Sequence, residues 1–158
     1  MAQLNPGDMA PDVTLITPEG GALPLSQMRG RPLVLYFYPK DDTSGCTREA
    51  QDFSHLKAAF DGAGVAVLGV SKDPPAKHMK FAAKHNLTVA LASDEDGSVC
   101  EAFGTWIEKS LYGRKYMGID RATFLIDAEG RIAKIWRKVK VPGHAEAVLA
   151  EAEALARA

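Results

Sequence analysis

Alternating stretches of apolar and polar residues divide the chain into strands and helices. Residues 32–39 (PLVLYFYP) and 65–71 (VAVLGVS) are apolar at nearly every position, which is typical of strands covered on both faces. Between these two runs, apolar residues recur at the three-to-four spacing of a single helix that ends near residue 61, namely Ala50, Phe53, Leu56 and Phe60. A strand, a helix and a strand in this order predict a βαβ unit with parallel strands.

The rest of the pattern predicts a mixed central sheet with helices on both faces. The further elements expected are a hairpin at 13–16 and 22–26, a helix ending near 85, a strand at 89–93, a short helix around 99–103, a hairpin at 123–127 and 131–137, and a final helix after 143. Residues 105–120 show no clear period and predict a long loop or arm. We therefore expect one α/β domain over residues 1–158.

Composition narrows the functional classes. The chain has 158 residues, a net charge of −1 and two cysteines. Nucleic acid is not an expected partner, and the most basic stretch, residues 137–141 (RKVKV), is better explained as a solvated strand edge. No apolar run reaches membrane-spanning length, residues 1–13 lack the pattern of a signal peptide, and two cysteines are too few for a disulfide framework. We expect a protein of the reducing cytoplasm with no membrane contact.

The two predicted core elements place Cys46 at the junction of a strand and a helix. Turn and helix-cap residues (KDDTSG) follow the buried strand, so Cys46 lies in the first turn of the helix. Free backbone N–H groups and the positive end of the helix dipole favour the thiolate there. Thr43 and Gly45 offer a hydroxyl and accessible amides beside the sulfur. The alternative is that Cys46 is a small buried apolar residue.

A helix start alone does not make a thiolate dominant. It contributes about 0.3–1 kcal/mol, whereas full ionisation of an ordinary thiol at neutral pH takes about 3 kcal/mol, so a cation is expected nearby. Arg121 is the candidate, because it stands immediately before a buried strand, where an unpaired charge is costly. The alternative is an ordinary surface arginine at a strand entrance.

Several segments together resemble one family. The string YPKDDTSGCTREAQDF, with its P-x-x-x-T-x-x-C core, and the segments GVSKD, SDEDGSVCEAFG, GIDRATFLID and WRKVKVPGHAEAVL resemble peroxiredoxins of the bacterioferritin comigratory protein or peroxiredoxin Q type. The resemblance covers nearly the whole chain. It implies a thioredoxin-like fold, a monomer, and the reduction of hydrogen peroxide and organic hydroperoxides as an antioxidant defence. Thioredoxin, glutaredoxin or a small thiol would be the reductant.

The resemblance also assigns roles by position. Cys46 is the peroxidatic cysteine, Thr43 and Arg121 hold the thiolate and the peroxide, and Pro39 shields the pocket. No metal or organic cofactor is expected, because sulfur is the redox centre and no two histidines lie at a ligand spacing with a cysteine.

The chain departs from this family at three positions. Ser44 stands where proline is common, and Gln51 and Ala82 occupy the two places where branches of the family carry a resolving cysteine. Cys100 is the only other thiol, and we expect it to pack in the core rather than to resolve Cys46. These departures predict an enzyme with one working cysteine, either natural or derived from a two-cysteine parent.

Two other functional classes are the alternatives. A cysteine hydrolase or acyltransferase needs a histidine base, and none of the four histidines sits in a recognisable partner motif. A non-catalytic thioredoxin-fold binding or holdase protein needs no activated thiol. Rapid alkylation of Cys46 in mildly acidic buffer distinguishes an activated thiolate from that second alternative.

Overall fold

A computed structural model describes residues 3–158, and most of its strands form one sheet. Seven strands lie in the order β2-β1-β5-β4-β3-β8-β9, and β6 and β7 pair separately. The strands are β1 Thr14–Ile16, β2 Ala22–Pro24, β3 Leu33–Phe37, β4 Ala66–Ser71, β5 Ala90–Ser93, β6 Trp106–Leu111, β7 Arg114–Ile119, β8 Ala122–Ile126 and β9 Ile132–Trp136. The helices are α1 Ser44–His55, α2 Lys57–Gly62, α3 Pro75–His85, α4 Ser98–Ala102 and α5 His144–Arg157, with a 3₁₀ turn at Leu25–Met28.

The sheet is mixed, as the sequence predicts. Strand β3 pairs parallel with β4 and antiparallel with β8, while β4 pairs parallel with β5. Two predicted hairpins, β1–β2 and β8–β9, are also confirmed. Met1 and Ala2 of the polar N-terminal segment lie outside the described residues. Among residues 3–158, no helix combines the length and the apolar character that crossing a bilayer requires.

Strand β3 separates two apolar cores. Its five residues are all buried, and successive side chains point to opposite faces of the sheet. One core contains Leu33, Leu35 and Phe37 together with Cys100 of α4. The other contains Val34 and Tyr36 with residues of α1, α3 and α5. Helices therefore cover both faces, which confirms the predicted layer order.

Close packing between β3 and β4 depends on a glycine. Tyr36 and Gly69 are register partners in the parallel pair. A Cβ added at Gly69 would lie 2.5 Å from the Tyr36 ring, a distance that two carbon atoms do not tolerate. The absent side chain at Gly69 lets the Tyr36 ring lie flat over β4 and stack on Phe53 of α1, with ring centroids 4.6 Å apart. This contact packs α1 against β3.

The single helix predicted after Cys46 is two helices. Leu56 separates α1 from α2, with φ −94° and ψ 2°. Next to the break, the carbonyl of Ser54 accepts a hydrogen bond from the Thr88 hydroxyl at 3.2 Å, and the Ser54 hydroxyl accepts one from the backbone N–H of Thr88 at 3.1 Å. A carbonyl that bonds a neighbouring segment is less available to its own helical ladder, which gives the break at Leu56 a physical cause.

The prediction of a long loop over residues 105–120 is wrong. This segment forms an antiparallel hairpin of β6 and β7, paired from Trp106↔Ile119 to Leu111↔Arg114. The connecting residues Tyr112 and Gly113 both have positive φ, 51° and 78°, as a two-residue type I′ turn requires. The strands escaped prediction because their apolar residues largely face solvent and do not follow a buried alternation.

The basic stretch 137–141 is not a strand edge, contrary to the expectation. Strand β9 ends at Trp136, and the chain beyond it runs back across the start of β8. The backbone N–H of Val139 donates to the carbonyl of Arg121 at 2.9 Å, and that of Lys138 donates to Asp120 at 3.3 Å. Hydrogen bonds from residues 138 and 139 therefore hold the residues that precede β8 in place.

Candidate active site

The pairing of β3 with β8 brings Arg121 to Cys46. Phe37, the last residue of β3, is the register partner of Ala122, the first residue of β8. Because the strands are antiparallel, the chain leaving β3 towards α1 and the chain entering β8 lie at the same edge of the sheet. Arg121 therefore faces the start of α1.

Cys46 is the third residue of α1. Thr43 precedes the helix in an extended conformation, and the first helical hydrogen bond runs from the Thr47 N–H to the Thr43 carbonyl at 2.8 Å. The N–H groups of residues 44–46 have no carbonyl partner within the helix, and Cys46 lies in this same first turn. Cys46 is only 1% exposed, so its sulfur senses the helix start with little screening by water.

Arg121 supplies the cation that the sequence predicts. Its Nη2 lies 3.3 Å from the Cys46 Sγ, and the guanidinium is partly buried. Gly45 leaves room for this approach, because a Cβ at position 45 would lie 3.2 Å from Nη2, a tight contact that would push the guanidinium aside by a few tenths of an ångström. The alternative interpretation, that Arg121 is an ordinary surface arginine at a strand entrance, is therefore wrong.

Glu49 holds the other side of the Arg121 guanidinium. Its Oε1 accepts a hydrogen bond from Arg121 Nη1 at 2.6 Å. Glu49 is 1% exposed, and its Oε2 is buried with no hydrogen-bond partner among the described residues. Glu49 is not among the residues predicted from the sequence, although a carboxylate three positions after Cys46, on the helix face that also carries Ala50, was a signal.

Burial and charge shift the pKa values of Glu49 and Arg121 in opposite directions. Burial raises the pKa of Glu49 to about 7, although the charge and hydrogen bonds of Arg121 oppose that rise. Burial lowers the pKa of Arg121, but the charges of Glu49 and Cys46 outweigh it and raise that pKa overall. Arg121 therefore remains a cation, while Glu49 changes its charge near neutral pH.

Thr43 and Pro39 lie beside the sulfur site. The Thr43 hydroxyl donates to the Lys40 carbonyl at 2.9 Å and so does not donate to Cys46 in this arrangement. Pro39 and Arg121 line a cleft of about 500 Å³ that Tyr116 of the β6–β7 hairpin and Lys138 also border. The roles of Thr43 and Pro39 stay predictions.

Cys100 lies in the core on the opposite face of the sheet from Cys46. Both thiols are free and buried. Burial, together with the hydrogen bond and charge of Asp94, raises the pKa of Cys100 far above its ordinary value, so this thiol stays protonated. The Asp94 carboxylate also accepts the backbone N–H groups of Val99 and Cys100, at 3.1 and 2.7 Å, and fixes the start of α4.

Three of the four histidines form hydrogen bonds away from Cys46. Within residues 3–158, the side-chain hydrogen bond of Cys46 is to Arg121 and not to a histidine, and His78, His85 and His144 bond Asp41, Asp42 and Thr123. The same residues contain no group of three or more His, Cys, Asp or Glu side chains placed to hold a metal ion.

Comparison with known proteins agrees with the geometry. The sequence model of the AhpC/TSA family matches residues 6–135. The chain is 50% identical over 143 residues to a putative peroxiredoxin Bcp of Coxiella burnetii, covering 90% of this chain and 95% of that protein. It is 49% identical over 138 residues to peroxiredoxin Bcp of Bacillus subtilis, covering 87% and 88%.

Solved structures show the same relationship. A structure of the Xanthomonas campestris bacterioferritin comigratory protein, described for its alkyl peroxide reduction activity, superposes with a TM-score of 0.87 at 46% identity over 91% of this chain and 92% of that one. A cysteine-to-serine mutant of Xylella fastidiosa PrxQ superposes with a TM-score of 0.91 at 40% identity over 98% of both chains. With its thioredoxin-like fold and its cysteine at a helix start, this chain belongs to the AhpC/TSA family and is a thiol peroxidase of the Bcp peroxiredoxin type.

Proposed function

We propose that Cys46 is the residue that attacks the peroxide and that Arg121 positions the reacting oxygen atoms. The observation that carries this assignment is the 3.3 Å contact between Arg121 Nη2 and the Cys46 Sγ at the start of α1. The thiolate sulfur attacks the terminal peroxide oxygen, the O–O bond breaks, and the departing oxygen takes a proton to leave as water or an alcohol. Cys46 is left as a sulfenic acid.

The donors around Cys46 suit this displacement. Negative charge moves from the sulfur to the departing oxygen, so groups aimed at both atoms stabilise the transition state more than the ground state. Arg121 Nη2 contacts the sulfur, the free N–H groups of the first turn of α1 add the positive end of the helix dipole, and rotation of the Thr43 hydroxyl away from Lys40 would add a further donor. Pro39 limits the access of water from the cleft.

Glu49 is the group that aims the guanidinium. Its short bond to Nη1 leaves Nη2 directed at the sulfur. A planar fork held at one nitrogen presents the other in a fixed direction, which a flexible ammonium cannot do.

An external thiol returns Cys46 to its reduced form in this proposal. The sulfenic acid condenses with the thiol, water leaves, and a second thiol releases Cys46 with formation of the donor's disulfide. Thioredoxin, glutaredoxin or a small thiol fits this role. The two free cysteines suit a reducing cytoplasm, and the family resemblance favours a monomer, which light scattering can test.

Cys46→Ser tests the assignment. Serine is nearly isosteric and is not nucleophilic here, so we expect the variant to fold, with an unchanged circular dichroism spectrum, and to consume no peroxide in the presence of dithiothreitol. Peroxide consumption at the rate of the unchanged protein would show that another group performs the reaction.

Arg121→Lys should reduce the rate constant for peroxide at least about tenfold, because lysine keeps the charge but loses the planar fork. Arg121→Met should be slower still. Stopped-flow measurement of Cys46 oxidation provides the rate, and Arg114→Lys on the exposed hairpin is the matched control. A methionine variant as fast as the unchanged protein would remove Arg121 from the site.

Glu49→Gln should flatten the dependence of stability on pH. A raised carboxyl pKa means that the folded state binds the proton more tightly, so this stabilisation is full below the unfolded value of 4.5 and is lost as pH rises through about 7. From pH ~5 to pH ~8 the free energy of unfolding of the unchanged protein should fall relative to the variant by on the order of 2 kcal/mol. Urea titrations measure it, with the exposed Glu129→Gln as control. Parallel curves would contradict a buried titrating Glu49.

Cys100→Ser should keep most of its dithiothreitol-supported peroxidase activity. The central sheet lies between the two sulfur atoms, and a disulfide needs Cα atoms within about 7 Å. We expect peroxide without a reductant to convert Cys46 to the sulfinic acid. Non-reducing peptide mapping decides between the outcomes. A dominant 46–100 crosslink, lost in Cys100→Ser together with thioredoxin-dependent turnover, would assign Cys100 the resolving role.

A further inference from the structure

The cleft that Arg121 lines contains a lysine that the reaction described above does not use. Lys109 of β6 borders this cleft together with Pro39 and Arg121. Its side chain is partly buried, and among residues 3–158 it forms neither an ion pair nor a side-chain hydrogen bond. A cation that loses part of its water without gaining a carboxylate partner costs free energy, which indicates a functional role.

The contacts of Lys109 show the direction of its side chain. Lys109 and Tyr116 are register partners in the β6–β7 hairpin, so both side chains stand on the same face. A Cβ added at Gly118 would lie 3.3 Å from Lys109 Cδ and 3.6 Å from its Cε. The lysine stem therefore runs from Tyr116 across Gly118, towards the end of β7. The chain continues from that end to Arg121, whose Nη2 contacts the Cys46 sulfur.

The charges around Lys109 are those of the sulfur site. Burial lowers the pKa of Lys109 and the charge of Arg121 adds to this shift, while the charges of Asp120 and Cys46 oppose it. The ammonium thus lies close enough to Arg121 and Cys46 to interact with both. An ammonium with a lowered pKa gives up its proton more readily than an ordinary lysine, and this is the property of an effective general acid.

The proposed reaction needs a proton donor. When the O–O bond breaks, the departing oxygen becomes hydroxide or an alkoxide unless it takes up a proton, and both are strong bases. Arg121 is a poor donor, because Glu49 and Cys46 raise its pKa. The Thr43 hydroxyl is a weak acid and donates to the Lys40 carbonyl. Glu49 bonds Nη1, the guanidinium nitrogen that does not contact the sulfur.

We propose that Lys109 is the general acid that protonates the departing oxygen of the peroxide. This proposal rests on the function proposed above. The Cys46 thiolate gives an electron pair to the terminal oxygen and forms the S–O bond. The O–O bond breaks, its electron pair goes to the departing oxygen, and that oxygen takes a proton from the Lys109 ammonium. The products are the sulfenic acid, water or an alcohol, and a neutral amine, which regains a proton from water in the cleft.

The test compares peroxides whose departing groups differ in basicity. Hydrogen peroxide and tert-butyl hydroperoxide release hydroxide and tert-butoxide, which need a proton. Peroxyacetic acid is also small, but it releases acetate, a weak base that leaves without one. A general acid therefore accelerates the first two reactions and not the third. Stopped-flow oxidation of Cys46 at neutral pH provides all three rate constants. The ratio between two peroxides within one variant cancels any change in the thiolate population.

Lys109→Met should lower the rate constant for tert-butyl hydroperoxide about tenfold or more relative to that for peroxyacetic acid, because the proton donor is lost. Hydrogen peroxide should follow tert-butyl hydroperoxide. Lys109→Arg keeps the positive charge but holds its proton too tightly to act as an acid, so it should show the same lowered ratio. An arginine variant with the ratio of the unchanged protein would overturn the proposal, since charge alone would then suffice.

Two control variants come from the same hairpin. Lys115→Met removes an exposed lysine next to Tyr116 in sequence, and hence from the opposite face, so all three rate constants should stay unchanged. Tyr116→Phe removes a hydroxyl that also borders the cleft, and the ratio should stay that of the unchanged protein. A lowered ratio in Tyr116→Phe, with none in Lys109→Met, would assign the proton to the tyrosine and overturn the proposal.

The remaining outcomes separate this proposal from the proposed function. If Lys109→Met slows all three peroxides equally, or slows none, while the unchanged protein is active, the general acid is overturned and the role of Cys46 stands. If the unchanged protein oxidises Cys46 with none of the three peroxides, the proposed function is overturned and the general acid with it.

Discussion

The contact between Arg121 and Cys46 depends on how strands β3 and β8 pair. Register fixes Phe37 opposite Ala122, and a slip of one residue would turn Arg121 to the other face of the sheet. The guanidinium then lies between two groups of negative character, the Cys46 sulfur and Glu49. Gly45 leaves the space for it, and the segment after β9 holds its backbone. The site is thus assembled from distant parts of the chain around one cation.

Burial makes the charge at the Cys46 site sensitive to the protonation of Glu49. A guanidinium removed from water needs partners at each of its nitrogen atoms, and Glu49 and Cys46 provide two of them. When Glu49 takes up a proton, the attraction of Arg121 is directed more strongly to the sulfur. When Glu49 is ionised, the cation is shared. The pKa of Glu49, at about 7, places this exchange near neutral pH.

The sequence was most informative where local chemistry decides the structure. The apolar run of β3, the cap residues before Cys46 and the turn between β8 and β9 each specify their own conformation, so these elements and the position of Cys46 were predictable. Arg121 was predictable because a charge before a buried strand needs a reason. Glu49 and the 105–120 hairpin were missed, since a carboxylate inside a buried stripe departs from the usual pattern and the hairpin carries exposed Leu111 and Tyr112. The break at Leu56 depends on Thr88, which is distant in sequence.

The alternation of side chains along β3 places the two sulfur atoms in separate compartments. A layer of hydrogen-bonded backbone stands between them, with Leu35 in the core that contains Cys100 and Tyr36 in the core that contains Cys46. Under the function proposed above, oxidising equivalents captured at Cys46 are not passed to the other thiol within the molecule. The lifetime of oxidised Cys46 is then set by a bimolecular reaction. It depends on how often a thiol donor molecule reaches the protein. The state of the cysteine then reports the concentration of that donor as much as the concentration of the oxidant.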